Sequence, residues 1–187
     1  MSEGEASANT RSREVLSFWL AAGAERWFTA DETFDAEIRA RFEELYNDAA
    51  AGRLSSWESA CGGALALVIL LDQFPRNMFR GTARAYSTDL LARAVAKRAI
   101  ARGFDQQCEM PARSFFYLPF EHSENLIDQE YCLTLMRATG DADLEKWAQS
   151  HVDIIRRFGR FPHRNAILGR MTAPDEQAFL DSGGFSG

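Results

Sequence analysis

Lysine is nearly absent from this chain: of 21 basic residues only Lys97 and Lys146 are lysines, and arginine carries the rest of the positive charge. Genome composition and a need for bidentate contacts explain such a bias equally well, so the placement of the arginines matters more than their number. Positive charge is also in deficit overall. A net charge of −6 excludes general binding to nucleic acid or to an anionic membrane surface, either of which needs a basic face. The cysteines, Cys61, Cys108 and Cys132, are odd in number and widely spaced. With no Cys-x-x-Cys pair and no disulfide-rich pattern they fit a reducing compartment. The longest apolar run, Ala64 to Leu71, is far too short to span a bilayer, and the opening Met-Ser-Glu-Gly-Glu lacks the basic start and apolar core of a signal peptide. These absences predict a cytoplasmic protein. No stretch alternates with a period of two over a strand's length, which excludes a sheet. There is no Gly-x-Ser-x-Gly elbow, Walker loop, dinucleotide glycine pattern or His-Glu-x-x-His, so the enzyme classes built on those motifs are excluded too.

What is present is ordinary globular composition, 46% hydrophobic and 26% charged over 187 residues, enough for one domain with a substantial core. That domain is expected over residues 10–182, with a frayed N-terminus at 1–9 and a loose glycine-rich tail at 183–187. Val15, Phe18, Trp19 and Ala22 recur at helical spacing, and Phe34, Ile38, Phe42, Leu45, Tyr46 and Ala49 draw the clearest apolar stripe in the chain. Ser55-Ser-Trp-Glu58 has the form of a capping box opening a helix that is apolar on all sides through Leu71, the pattern of a central helix. Pro75 disfavours helical geometry at Phe74, so this helix is predicted to stop near Gln73 with Asp72 in its last turn. Leu90, Leu91, Ala94 and Val95 predict the inward face of the next helix. Pro119 is placed to begin a helix reaching Arg137, and Leu144, Trp147, Ala148, His151, Ile155 and Phe158 trace another. Thr172-Ala-Pro-Asp175 opens a final short one. The fold class is all-α, with seven to nine helices around a buried central helix.

Three polar stretches interrupt this apolar pattern. The first is Asp72, Gln73, Arg76, Asn77 and Arg80 at the end of the apolar helix. The second, Pro119-Phe-Glu-His-Ser-Glu-Asn125, predicts an inward Glu124 beside Phe120, Ile127 and Tyr131. A carboxylate so placed either pairs with arginine or has a raised pKa suited to general acid–base work. The third runs from Arg156 to Asn165, with Arg170 close behind, and crowds arginines beside His163 and Asn165. It suits a phosphate or carboxylate ligand, but equally suits internal pairing with Asp72, Glu121, Glu124 and Asp128. Asp72 therefore has candidate partners across helices as well as Arg76. His122 and Glu124 are two apart, a poor spacing for joint metal ligation, and no metal or cofactor is assigned. His151, alone on an apolar stripe, reads as a hydrogen-bonded core residue.

Leu70-Leu-Asp-Gln-Phe-Pro-Arg-Asn77, Pro119-Phe-Glu-His-Ser-Glu124 and Arg157-Phe-Gly-Arg-Phe-Pro-His-Arg-Asn165 followed by Ile167-Leu-Gly-Arg170 closely resemble the signature stretches of the bacterial domain of unknown function 924 family. Val15-Leu-x-Phe-Trp19 looks similar too, and the resemblance covers residues 12 to 181. It implies an all-helical fold similar to tetratricopeptide-repeat superhelices, although no 34-residue repeat is visible, and it implies no established reaction.

The sequence thus predicts an internal pocket that takes a small polar or anionic ligand, lined by Asp72, Gln73, Arg76, Asn77, Glu121, Arg160, Arg164 and Asn165. In an enzymatic version, a hydrolase or transferase, Glu124, His163 and His122 are the candidate acid–base groups and the arginines clamp an anion. The alternative is a scaffold that binds a peptide or protein partner in a helical groove, with the polar stretches serving only to hold loops.

Overall fold

A computed structural model describes the backbone of residues 3–185 and the side chains of residues 10–185. The predicted frayed start and loose tail extend into residues 1, 2, 186 and 187, which lie outside the described residues. Among the described residues every regular element is helical and none is a strand. The chain groups into two compact units, Met1–Arg80 with Arg84–Pro119 and Gly81–Ala83 with Phe120–Gly187.

In the first unit α1 (Glu3–Ala22), α2 (Ala24–Trp27) and α3 (Glu32–Ala50) lead into α4 (Cys61–Val68). Asp31 caps α3 by accepting from the amides of Thr33 and Phe34, and the predicted stripe from Phe34 to Ala49 is buried. Trp19, fully buried, has its ring 5.6 Å from that of Phe74 and 5.8 Å from that of Phe115, in edge-to-face contacts that centre this core.

The apolar helix does not stop at Gln73. It passes through a π-helical turn, Ile69–Gln73, directly into α5 (Phe74–Met78), and Phe74 keeps right-handed helical angles although Pro75 follows. The widened turn carries the Phe74 amide to the carbonyl of Ile69, five residues back. Proline at 75 has no N–H for the Leu71 carbonyl, and the Thr88 hydroxyl donates to that oxygen instead at 2.6 Å. Arg76 does the same for the Asp72 carbonyl at 2.6 Å. Asp72 consequently lies inside a continuous helical rod, away from any last turn.

Two other expectations shift here. Ser55–Ser59 is a 3-10 turn, and α4 begins after it at Cys61 with no side-chain cap. The turn and the helix approach so closely that a Cβ on Gly63 would stand 2.2 Å from the Trp57 carbonyl oxygen. Gly63→Ala is therefore expected to cost about 1–3 kcal/mol through backbone overpacking, read as a lower denaturation midpoint. In α6 (Asp89–Ala101) Leu90 and Leu91 are exposed, and the buried face is Ala92, Val95, Ala96 and Ala99. Alanines rather than leucines let α6 lie against α4.

The second unit contains α8 (Leu126–Ala138) and α9 (Ala142–Phe158), joined through Gly140 and the N-cap Asp141, and then α10 (Pro174–Asp181). The predicted helix from Pro119 to Arg137 is two pieces: α7 (Leu118–Glu121) ends early, and Asn125 caps α8 by accepting from Ile127 and Asp128. Restarting the helix changes its phase, leaving Ile127 77% exposed and Glu124 in the loop between. Trp147, predicted to face inward from α9, is 56% exposed.

Candidate functional site

Asp72, Gln73, Arg76 and Asn77 all lie in the first unit, and their side chains satisfy one another or nearby helices. Arg76 spans Asp72 Oδ1 at 3.3 Å and Asp89 Oδ1 at 2.9 Å, and its second nitrogen reaches Asp89 Oδ2 at 3.1 Å. Gln73 donates to Asp72 Oδ2, and Asn77 donates to Asp35 Oδ1 at 2.8 Å, which Arg80 also holds. The arrangement pins the rod to α3 and α6. Asp72 takes Arg76 as a partner from its own rod, with Asp89 as the extension to α6.

The second unit brings Glu121, His122, Glu124, Arg160, His163, Arg164 and Asn165 together with residues the motifs did not single out. One part is a closed ionic lattice. Arg170 grips both oxygens of Glu124 at 2.6 and 2.9 Å, and Glu124 also accepts from the Phe161 amide at 2.8 Å. Arg170 continues to Asn165 Oδ1 at 3.0 Å, and the Asn165 amide donates to Glu176 Oε2 at 3.1 Å. Arg160 holds both oxygens of Glu176 at 2.6 and 2.8 Å. Burial acts to raise the Glu124 pKa, but Arg170 and the Phe161 amide outweigh it, so the carboxyl is held below its ordinary value. The hydrogen bond from Arg160 leads the causes that hold Glu176 down at about 2. Of the two fates open to Glu124, pairing with arginine is the one realised.

The other part is a cluster of imidazoles. His151, on the buried face of α9, has Nδ1 2.9 Å from the Trp147 carbonyl and 3.7 Å from Glu121 Oε1. A carbonyl can only accept, so Nδ1 carries the proton and Nε2 keeps its lone pair. Phe185 packs edge-on against His151, with ring centres 4.5 Å apart, and lies 5.2 Å from His163. Phe161 is 5.6 Å from each imidazole, and the Arg164 guanidinium sits 4.4 Å over its face while donating to the His122 carbonyl at 3.0 Å. Burial first, and then neighbouring positive groups, push His151 and His163 down to about 4, so both are neutral at pH 7. For His163 the charged groups are Arg164 and Arg170, with the neutral His151 imidazole beside them, set against Glu124 alone.

Among the described residues the Nδ1 of His163 is buried without a hydrogen-bond partner, as are Trp19 Nε1 and Gln129 Oε1 in other parts of the chain. Such atoms are rare, and each calls for a reason. Beside the cluster a groove of about 310 Å³ is lined by Ile154, Phe158, Phe179 and Phe185 together with the charged Asp153 and Arg157. Among the described residues no group of His, Cys, Asp and Glu side chains is arranged to hold a metal ion, and no helix is long and apolar enough to cross a membrane. Arg170 stands beside the third polar stretch and Glu176 outside all three, and neither pairing is legible locally, because their partners Glu124 and Arg160 lie 46 and 16 residues away. A sharper signal was available for Glu176, which stands at the third position of α10, where a carboxylate can turn back to the Ala173 amide, as it does at 2.7 Å.

Fold and site together define an all-helical protein whose second unit encloses a neutral imidazole cluster braced by arginine–carboxylate pairs. The chain belongs to the family described as bacterial protein of unknown function (DUF924), which matches residues 15–184. It is similar to a solved protein of unknown function from Agrobacterium tumefaciens, at 43% identity over 94% of this chain and 99% of that one, with a TM-score of 0.91. No curated protein matches.

Proposed function

We propose that the second unit binds a small anion, a carboxylate or phosphate group, at the His151–His163 cluster, in a protein of the cytoplasm. The observation that carries this reading is the buried, unpartnered Nδ1 of His163 in surroundings where positive neighbours outnumber Glu124. An anion there accepts a hydrogen bond from the imidazole and offsets the field of Arg164 and Arg170. Phe185 separates the groove from the imidazoles, so the ligand enters by displacing that ring. Catalysis at this site falls to an imidazole rather than to Glu124, whose lowered pKa and two oxygens taken up by Arg170 leave it neither a proton to give nor a free lone pair suited to accept one. A hydrolase or transferase version thus has His163 as its base.

The test is a titration of the full chain with inorganic phosphate and, separately, acetate, followed by melting temperature and by the imidazole NMR signals. A saturable rise in melting temperature is expected in the wild type, lost in His163→Ala and reached at lower ligand concentration in Phe185→Ala. An equal rise in His163→Ala would sink the proposal. The groove supports the rival reading of a tetratricopeptide-like scaffold, since Ile154, Phe158 and Phe179 suit an apolar peptide side chain. That reading predicts that Phe158→Ser abolishes peptide capture and leaves anion binding intact.

A further inference from the structure

We infer that Cys61 and Cys108 form a reversible disulfide when the protein meets a peroxide. The sequence separates them by 47 residues, and folding sets their sulfurs 3.1 Å apart in the first unit. At that distance the sulfurs are already in contact, so closing the bond asks only a small movement. Both cysteines are half-buried and free, so a small oxidant has access, whereas Cys132 is buried. Two neighbours fix the pair: the Phe104 carbonyl lies 3.3 Å from the Cys61 sulfur, and Arg113 donates to the Cys108 carbonyl at 2.9 Å.

Cys61 is the sulfur that reacts first. It opens α4, and the next two residues are Gly62 and Gly63, which add no side chain beside it. Burial, then the Cys61 neighbour, push Cys108 up to about 12, so it waits as the protonated partner. Cys61 sulfur attacks one peroxide oxygen, the O–O bond breaks, and the thiol becomes a sulfenic acid with release of water. Cys108 sulfur then attacks Cys61 sulfur, the S–O bond breaks, and the Cys108 proton leaves with the hydroxyl as a second water. In sum two thiols are oxidised to one disulfide while one hydrogen peroxide is reduced to two waters. A dithiol reductant reverses the change. The link ties the start of α4 to the loop after the 3-10 turn Asp105–Gln107, independently of the imidazole cluster.

The experiment treats the full wild-type chain with hydrogen peroxide, counts thiols in denaturant and maps peptides without reduction. Thiols are expected to fall from three per chain to one, with a Cys61–Cys108 linked peptide, and the melting temperature to rise by roughly 5–15 °C for a loop of this length. Cys132→Ser should keep the linked peptide and Cys108→Ser should stop at the sulfenic acid of Cys61. Mapping of the wild type requires no variant to fold. Retention of all thiols under excess peroxide, over-oxidation without a link, or a link that joins two chains instead of one would each overturn the inference.

Discussion

Arg76→Ala is expected to lower stability by about 3–5 kcal/mol, the range for removing one partner of a buried ion pair. The size of the effect follows from what the guanidinium leaves behind. Asp72 is wholly buried and Asp89 only 15% exposed, and both carboxylates lose the Arg76 guanidinium together. The Asp72 carbonyl, which accepts from Arg76 within the rod, loses that bond as well. Arg80→Ala is the comparison. Arg80 is 47% exposed, and its partner Asp35 keeps the bond from Asn77, so a loss of about 1 kcal/mol or less is expected. Arg76→Lys should fall between the two, because an ammonium retains the charge but cannot reach Asp89 with two nitrogens and the Asp72 carbonyl at once. Urea midpoints on the three variants measure this directly. An Arg76→Ala loss no larger than that of Arg80→Ala would show that the rod does not depend on this bridge.

The same rod shows where local sequence rules give out. Its apolar composition is plain in the residues, as is the apolar stripe of α3, because both depend on neighbours within a few positions. The continuation through Pro75 is not plain. It needs the Thr88 hydroxyl, 17 residues on, to satisfy the Leu71 carbonyl, and the proline rule sees only Phe74. In α6 the error is of another kind: large leucines outweigh alanines in any reading by hydropathy, yet close packing against α4 selects the small side chains.

For the site, the sequence reveals its ingredients better than its bonds. Arginines and carboxylates in matching supply announce an ionic lattice, but nothing local joins Glu124 to Arg170, 46 residues away. The imidazoles are harder still. His151 reads correctly as a hydrogen-bonded core residue, and only the fold brings it to Phe185 and gives it Glu121 as a neighbour.

Stability is expected to fall steeply as pH drops from about 6.5 to about 4, and the imidazoles are the cause. His151 and His163 titrate at about 4 in the folded chain, against an ordinary 6.5. Between those values the unfolded chain binds more protons, so stability rises with pH through the window, is complete above it, and is lost on acidification. For His151 alone the loss by pH 4.5 is about 3 kcal/mol; His163, more open to solvent, adds less. The carboxylates act in a lower window. Glu176, held at about 2 against an ordinary 4.5, contributes stability that is present above 4.5 and lost as pH falls through 2. Denaturation midpoints across the upper window measure the imidazole contribution, and His151→Gln, which can still donate to the Trp147 carbonyl, should flatten the slope there while leaving the lower window alone. Phosphate joins this behaviour to the proposed function. An anion at His163 favours the imidazolium, raises the folded pKa toward 6.5, and so flattens the same slope at saturation. A wild-type profile that phosphate leaves unchanged would separate the histidines' burial from any anion site, leaving the unpartnered His163 nitrogen a cost of packing alone.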